Sequence, residues 1–137
     1  MRFWARRSGC ASPRERSPRQ TVSAHFDLKR IAELQDVMGA ELPGIVGSMM
    51  ESMSTAIEQL ERALEAGELD DAVRAAHLCR NDALMVGARE LQLALAKVES
   101  AARSAQLEQA RSEFGPIREL WPPTRNGLAR VASGKTP

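Results

Sequence analysis

Tyrosine is absent from the 137 residues, and phenylalanine and tryptophan together number five. Thr, Val and Ile total only 15, against 21 Ala and 14 Leu. Strands draw on β-branched and aromatic side chains, whereas Ala, Leu, Glu, Arg and Met favour helices. The composition therefore predicts an all-α fold. Cysteine is nearly absent too. Cys10 and Cys79 are too few for a disulfide scaffold and point to a reducing compartment, hence a cytoplasmic location. Two histidines and two cysteines, far apart in the chain, cannot fill a four-ligand zinc site, so no metal is expected. No glycine-rich phosphate loop is visible, which removes the usual means of binding ATP. No apolar run approaches the ~20 residues of a membrane span. The length allows one domain with at most a tail, and is enough to bury a core without staples.

Charge is present in near balance, a net +1, but it is unevenly placed. Residues 1–25 carry six arginines (Arg2, Arg6, Arg7, Arg14, Arg16 and Arg19) against Glu15 alone. With Pro13, Pro18, several serines and few apolar residues beyond Phe3 and Trp4, this stretch cannot repay its ordering entropy. It reads as a disordered basic tail. It lacks the apolar segment of a secretory signal. Binding to nucleic acid or a membrane surface is one use for such an arm; a solvated tail is the simpler one. Val22, which a bacterial GTG start could encode, stands just before the first patterned residues, so the stretch before it is open to not belonging to the native protein.

From Phe26 onward the pattern is helical. Asp27 caps a short helix carrying Leu28, Ile31, Leu34 and Val37/Met38, and Gly39 ends it. Leu42, Ile45/Val46, Met49, Met53, Ala56/Ile57, Leu60 and Leu64 form a near-heptad seam closed by Gly67. Met49, Met50 and Met53 read as core rather than as a plastic groove. A third helix opens at Leu69-Asp70, has Ala72, Ala76, Cys79, Ala83 and Val86 as its apolar stripe, and stops at Gly87. A fourth follows with Leu91, Ala94/Leu95, Val98 and Ala101/Ala102. Leu107 to Phe114 begins a fifth, which Gly115-Pro116 is expected to interrupt. Pro122-Pro123 then allow a new turn before Leu128 and Val131. Short loops force antiparallel neighbours. The expected architecture is an up-down four-helix bundle over residues 26–133, with a short extra N-terminal helix capping one end, a kinked last helix and a disordered end at 134–137.

The third helix carries the chemistry. Stepping about 100° per residue places His77 on the flank away from the apolar stripe, with Arg80 and Asn81 one turn further on. Leu78, Leu84 and Met85 are apolar yet also point away from the stripe centre. They form a partner-docking patch, or Leu84 and Met85 pack under a neighbouring helix.

The run Ala76-His77-Leu78-Cys79-Arg80-Asn81-Asp82-Ala83-Leu84-Met85-Val86-Gly87-Ala88 resembles the signature of histidine-containing phosphotransfer (HPt) domains. His77 falls at the phospho-accepting position and Arg80 at the basic position three residues on. Val86-Gly87-Ala88 matches the apolar-Gly-Ala element, and Leu91, Leu95, Val98 and Glu99 match the leucine and Leu-Glu pattern of the next helix. The resemblance covers about residues 26–114. Cys79 stands where the family has leucine, Asn81 where it has glycine and Asp82 where it has Ser or Ala; the C-terminal prolines also depart from an uninterrupted last helix.

This resemblance implies a phosphoryl relay through His77 in a bacterial two-component phosphorelay. The partners it implies are the receiver domain of a response regulator and a hybrid histidine kinase. Mg²⁺ and the catalytic aspartates come from the receiver, and no cofactor is held by this chain. Arg80 would stabilise the phosphoryl oxygens. Asn81 would either crowd the imidazole or hydrogen-bond the phosphoryl group. On this reading the chain is a monomeric phosphocarrier and not a kinase by itself. Asn81 and Asp82 leave open a degenerate module that docks a receiver or kinase without taking phosphate. A helical bundle with an unrelated role, using its basic tail on nucleic acid, is the third reading.

Overall fold

The computed structural model describes residues 26–137, and the N-terminal basic stretch and the Val22 start lie outside the described residues. Every regular element among the described residues is helical: α1 (Leu28–Met38), α2 (Leu42–Ala66), α3 (Leu69–Met85), α4 (Arg89–Arg103) and α5 (Leu107–Ala132), with one 3-10 turn at Gly39–Glu41. Helices α2 to α5 form the bundle. Each packs mainly on its neighbours in the chain, and α5 returns to α2 to close the ring. This is the expected antiparallel up-down order.

The turns follow from local chemistry. Asp27 caps α1 by accepting from the amides of Lys29 and Arg30, at 3.1 and 3.2 Å. The α2–α3 and α3–α4 links each pass through a glycine with positive φ, Gly67 at 75° and Gly87 at 74°. In both, the next amide reaches back five residues, Glu68 to the Ala63 carbonyl and Ala88 to the Ala83 carbonyl, each at 2.8 Å. That pairing satisfies carbonyls the helix end would otherwise orphan. The α4–α5 link repeats the pattern without glycine: Ala105 adopts φ 57°, and the Gln106 amide bonds the Ala101 carbonyl at 2.9 Å.

Met53, Leu60, Leu91, Leu95, Phe114, Ile117 and Leu128 are the bulk of the core. On α3 the buried residues are almost all alanines: Ala72, Ala75, Ala76 and Ala83, with Cys79. Small side chains let α3 approach α2 and α4 closely, which sets the distance across which its outward residues can reach α4. Met53 is fully buried, and Met49 and Met50 pack half-buried against the core, as their spacing predicts.

Helix α1 lies across the end of the bundle at the α3–α4 turn. The Asp27 amide donates to the Gly87 carbonyl at 2.7 Å, and Arg30 Nε donates to the Met85 carbonyl at 3.3 Å. Phe26, just before α1, is buried with its ring against Gly127 of α5. Only Ile31 and Leu34 of α1 are buried, while Leu28 and Val37 are exposed. The apolar face is narrower than expected because α1 covers an end of the bundle instead of lying along it.

The interruption expected at Gly115-Pro116 is absent: α5 runs unbroken from Leu107 to Ala132 with Pro116, Pro122 and Pro123 inside it. Each proline removes one amide donor, from the carbonyls of Ser112, Arg118 and Glu119. All three are exposed residues, so water can replace the lost bond, while Phe114, Ile117, Leu128 and Val131 hold the helix to the core. Thr124 Oγ1 donates to the Leu120 carbonyl at 2.7 Å, a back-bond of the kind that accompanies helix bending. After α5 the chain turns at Ser133-Gly134, with the Lys135 amide on the Arg130 carbonyl at 2.7 Å.

Candidate functional site

His77 occupies the midpoint of α3 (Leu69–Met85), where neither helix end can fray. Ala76 and Cys79 beside it are fully buried and fix the rotation of the helix, so the imidazole must leave on the opposite flank. That flank faces α4. The side chain is 43% exposed, and its Nδ1 lies 3.1 Å from Oε2 of Glu99. Nε2 has no hydrogen-bond partner among the described residues.

Glu99 organises the site. Its side chain is only 7% exposed, yet it is surrounded by donors. Arg80 Nε donates to Oε1 at 2.7 Å. Arg103, one turn along α4, donates to Oε2 through Nε at 3.0 Å and Nη2 at 2.7 Å. Burial alone pushes the Glu99 carboxyl upward. The hydrogen bonds from Arg103, Arg80 and His77, with the charge of Arg80, outweigh that and hold it below its ordinary 4.5. Glu99 is therefore a carboxylate across the physiological range.

The second contact to Nδ1 sharpens the chemistry. Arg80 Nη2 also lies 3.1 Å from Nδ1. A neutral imidazole carries one N–H, so Nδ1 can donate to Glu99 or accept from Arg80, but not both. In the first state Nε2 bears the bare lone pair and is a nucleophile. In the second, Nε2 carries the proton and is not. The balance between Glu99 and Arg80 at one nitrogen thus controls reactivity at the other.

Of the residues singled out from the sequence, His77 and Arg80 meet in one network, joined by Glu99. Asn81 is exposed, one turn along from His77 on the same side of α3, and no hydrogen bond engages it among the described residues. Leu78, Leu84 and Met85 are all exposed, which settles against burial under a neighbouring helix. They do not form one patch. Leu84 and Met85 line a groove with Arg30 of α1 and Arg89, Gln92 and Leu93 of α4. Leu78 lies instead in a depression between α2 and α3, with Arg62 and Arg74. Cys79 is buried as expected, its Sγ 3.9 Å from the Met53 carbonyl; burial, then the nearby Asp82, pushes the thiol up to about 12.

Sequence reasoning matched Glu99 to a pattern but gave it no role, and it passed over Arg103 and the exposed Leu93. One signal for the pair was available: Glu99 adjoins the Val98 stripe position and has arginine at i+4, the spacing of a helical ion pair. Among the described residues no three His, Cys, Asp or Glu side chains gather as a metal would require, and no helix is long and apolar enough to cross a membrane.

Comparison with known proteins identifies the family and the fold. The family model described as the Hpt domain matches residues 44–132, so the chain belongs to the Hpt domain family. A histidine phosphotransfer role in two-component signalling comes with that membership. The fold is similar to the crystal structure of histidine-containing phosphotransfer protein B from Pseudomonas aeruginosa PAO1. The TM-score is 0.76 at 23% sequence identity, over 80% of this chain and 96% of that one. Curated protein sequences give no match.

Proposed function

We propose that this chain relays a phosphoryl group between receiver-domain aspartates in a bacterial two-component phosphorelay, with His77 as the covalent carrier. The observation that carries this reading is the half-exposed imidazole whose Nδ1 faces a buried carboxylate at 3.1 Å. Held with Nδ1–H toward Glu99, the ring offers the Nε2 lone pair to a partner. That pair attacks the phosphorus of a receiver aspartyl phosphate in line. The N–P bond forms, the P–O bond breaks, and the aspartate carboxylate leaves with the bonding electrons. The ring gains positive charge, which Nδ1–H shares with Glu99, much as a buried aspartate supports the histidine of a hydrolase triad. The reverse step delivers the phosphoryl group to the next receiver.

Arg80 supplies charge for the phosphoryl oxygens, since a guanidinium stays protonated and offers forked donors. The receiver brings its own aspartates and Mg²⁺; this chain contributes the nucleophile and its setting. Leu84 and Met85, together with Leu93, offer an apolar surface beside the histidine flank for a response-regulator receiver or a hybrid kinase, and Leu78 extends contact toward α2. The chain acts as a cytoplasmic monomer, with no nucleic-acid or membrane role in the relay.

Incubation with a panel of phosphorylated receiver domains from the native host tests this. Acid-labile, alkali-stable label should appear on the wild type and be absent from His77→Gln. A His77→Gln protein that still takes label, or a wild type that binds receivers and takes none, would replace the relay with a docking module.

A further inference from the structure

Two arginines hold one carboxylate, and only one of them reaches the histidine. Arg80 has its Nε on Glu99 Oε1 and its Nη2 beside His77 Nδ1. No hydrogen bond joins Arg103 to the histidine; its Nε and Nη2 both donate to Glu99 Oε2. At 58% exposure it is the more solvated of the pair, Arg80 being 27% exposed. An exposed arginine that donates twice to a carboxylate only 7% exposed compensates a buried charge, and Arg80 already does so at Oε1, so the second arginine calls for a reason of its own.

The reason lies in what Arg80 must do. To meet a phosphoryl group on Nε2, its guanidinium has to turn away from Glu99. With Arg80 as sole partner, that movement would leave a buried carboxylate unpaired, at a large desolvation cost. The carboxylate would then hold Arg80 back or take up a proton, and a protonated Glu99 no longer holds Nδ1–H. Arg103 removes the conflict. It stays on Oε2, the oxygen that faces His77, while Oε1 is given up.

We propose that Arg103 is a positioning residue for the phosphotransfer reaction: it keeps Glu99 ionised and aimed at His77 Nδ1 while Arg80 moves to the phosphoryl group. The inference rests on the phosphotransfer reading above. Without Arg103, Glu99 is free to turn both oxygens to Arg80 in a forked pair, which draws Oε2 off the ring. Nδ1 then loses its acceptor, and the proton shifts toward Nε2.

The experiment compares wild type, Arg103→Met and Arg103→Lys. The His77 tautomer is read in the neutral ring by long-range ¹H–¹⁵N NMR. Phosphoryl uptake is read with phosphoramidate, a small donor whose P–N bond breaks with loss of ammonia, so no partner is needed. Wild type should show the Nδ1–H form. Arg103→Met should move a substantial fraction to Nε2–H and slow uptake on the order of tenfold to a hundredfold, the usual scale for a supporting partner. Arg103→Lys should recover much of both. A lowered Tm in Arg103→Met with tautomer and uptake unmoved would overturn the proposal and make Arg103 a structural ion pair. Failure of the wild type to take phosphate, with the tautomer shift intact, would overturn the phosphotransfer reading while leaving the positioning of Glu99 by Arg103 supported.

Discussion

Gly127 lies in α5 where no turn or positive φ calls for glycine; what excludes a side chain is Phe26. A Cβ on residue 127 would stand 2.3 Å from Phe26 Cε2 and 2.7 Å from Cζ. Neither is a flexible chain end, so Gly127→Ala must push the ring out of its seat. Two opposed effects follow. Alanine in place of a helical glycine gains about 1 kcal/mol of propensity. Displacing a buried phenylalanine forfeits about 1.5–3 kcal/mol of apolar burial. The net is a loss of about 0.5–2 kcal/mol. In a Phe26→Ala background the clash is gone, and the same substitution should stabilise by about 1 kcal/mol. The sign therefore reverses between backgrounds, a coupling a double-mutant cycle in urea would reveal. Hydrogen exchange at the Asp27 amide, which donates to the Gly87 carbonyl at 2.7 Å, should accelerate in Gly127→Ala as α1 undocks. Equal effects of Gly127→Ala in the two backgrounds would refute the argument that Phe26 is what keeps residue 127 a glycine.

Further outcomes follow from the site and its helix. Glu99 sits below its ordinary 4.5 in the folded protein, so its contribution is complete above that value and drains away as pH falls through the lower folded value. The stability gap between wild type and Glu99→Gln, followed by urea unfolding, should be full at pH 7 and close in acid. A gap independent of pH would contradict the ionised network. Cys79, its thiol raised to about 12 by burial and Asp82, should resist iodoacetamide in the native state and react on unfolding; native reactivity would mean that α3 is rotated from its described register. Asn81→Gly costs up to about 1 kcal/mol of helix stability. If Asn81 crowds the imidazole, phosphoryl uptake should rise in this variant. A fall in uptake would show that the amide assists the phosphoryl group instead.

The sequence made the helices, their order and the flank of His77 readable, because those depend on local signals. Asp27, Gly39, Gly67 and Gly87 mark ends by their own conformational chemistry, and the Ala72 to Val86 stripe fixes how α3 rolls. The Ala105 turn left no such mark, since alanine is an unusual choice at φ 57°. The continuity of α5 was hidden for the opposite reason: three prolines signal a break, and only the tertiary packing of Phe114, Ile117, Leu128 and Val131 overrides them. The Glu99 network is a contact between helices. No spacing within α3 could show that a carboxylate from α4 arrives 3.1 Å from Nδ1, or that Arg103 holds it there. Docking residues were only half legible, because helical angles give exposure but not which groove each residue enters.

The most direct measurement is the position of the phosphoryl group itself. Protein treated with phosphoramidate and examined by ³¹P and ¹H–¹⁵N NMR should carry a single phosphohistidine, at Nε2 of His77, with Nδ1 still protonated and facing Glu99. Phosphate on Nδ1, or on another residue while His77 remains free, would contradict the account.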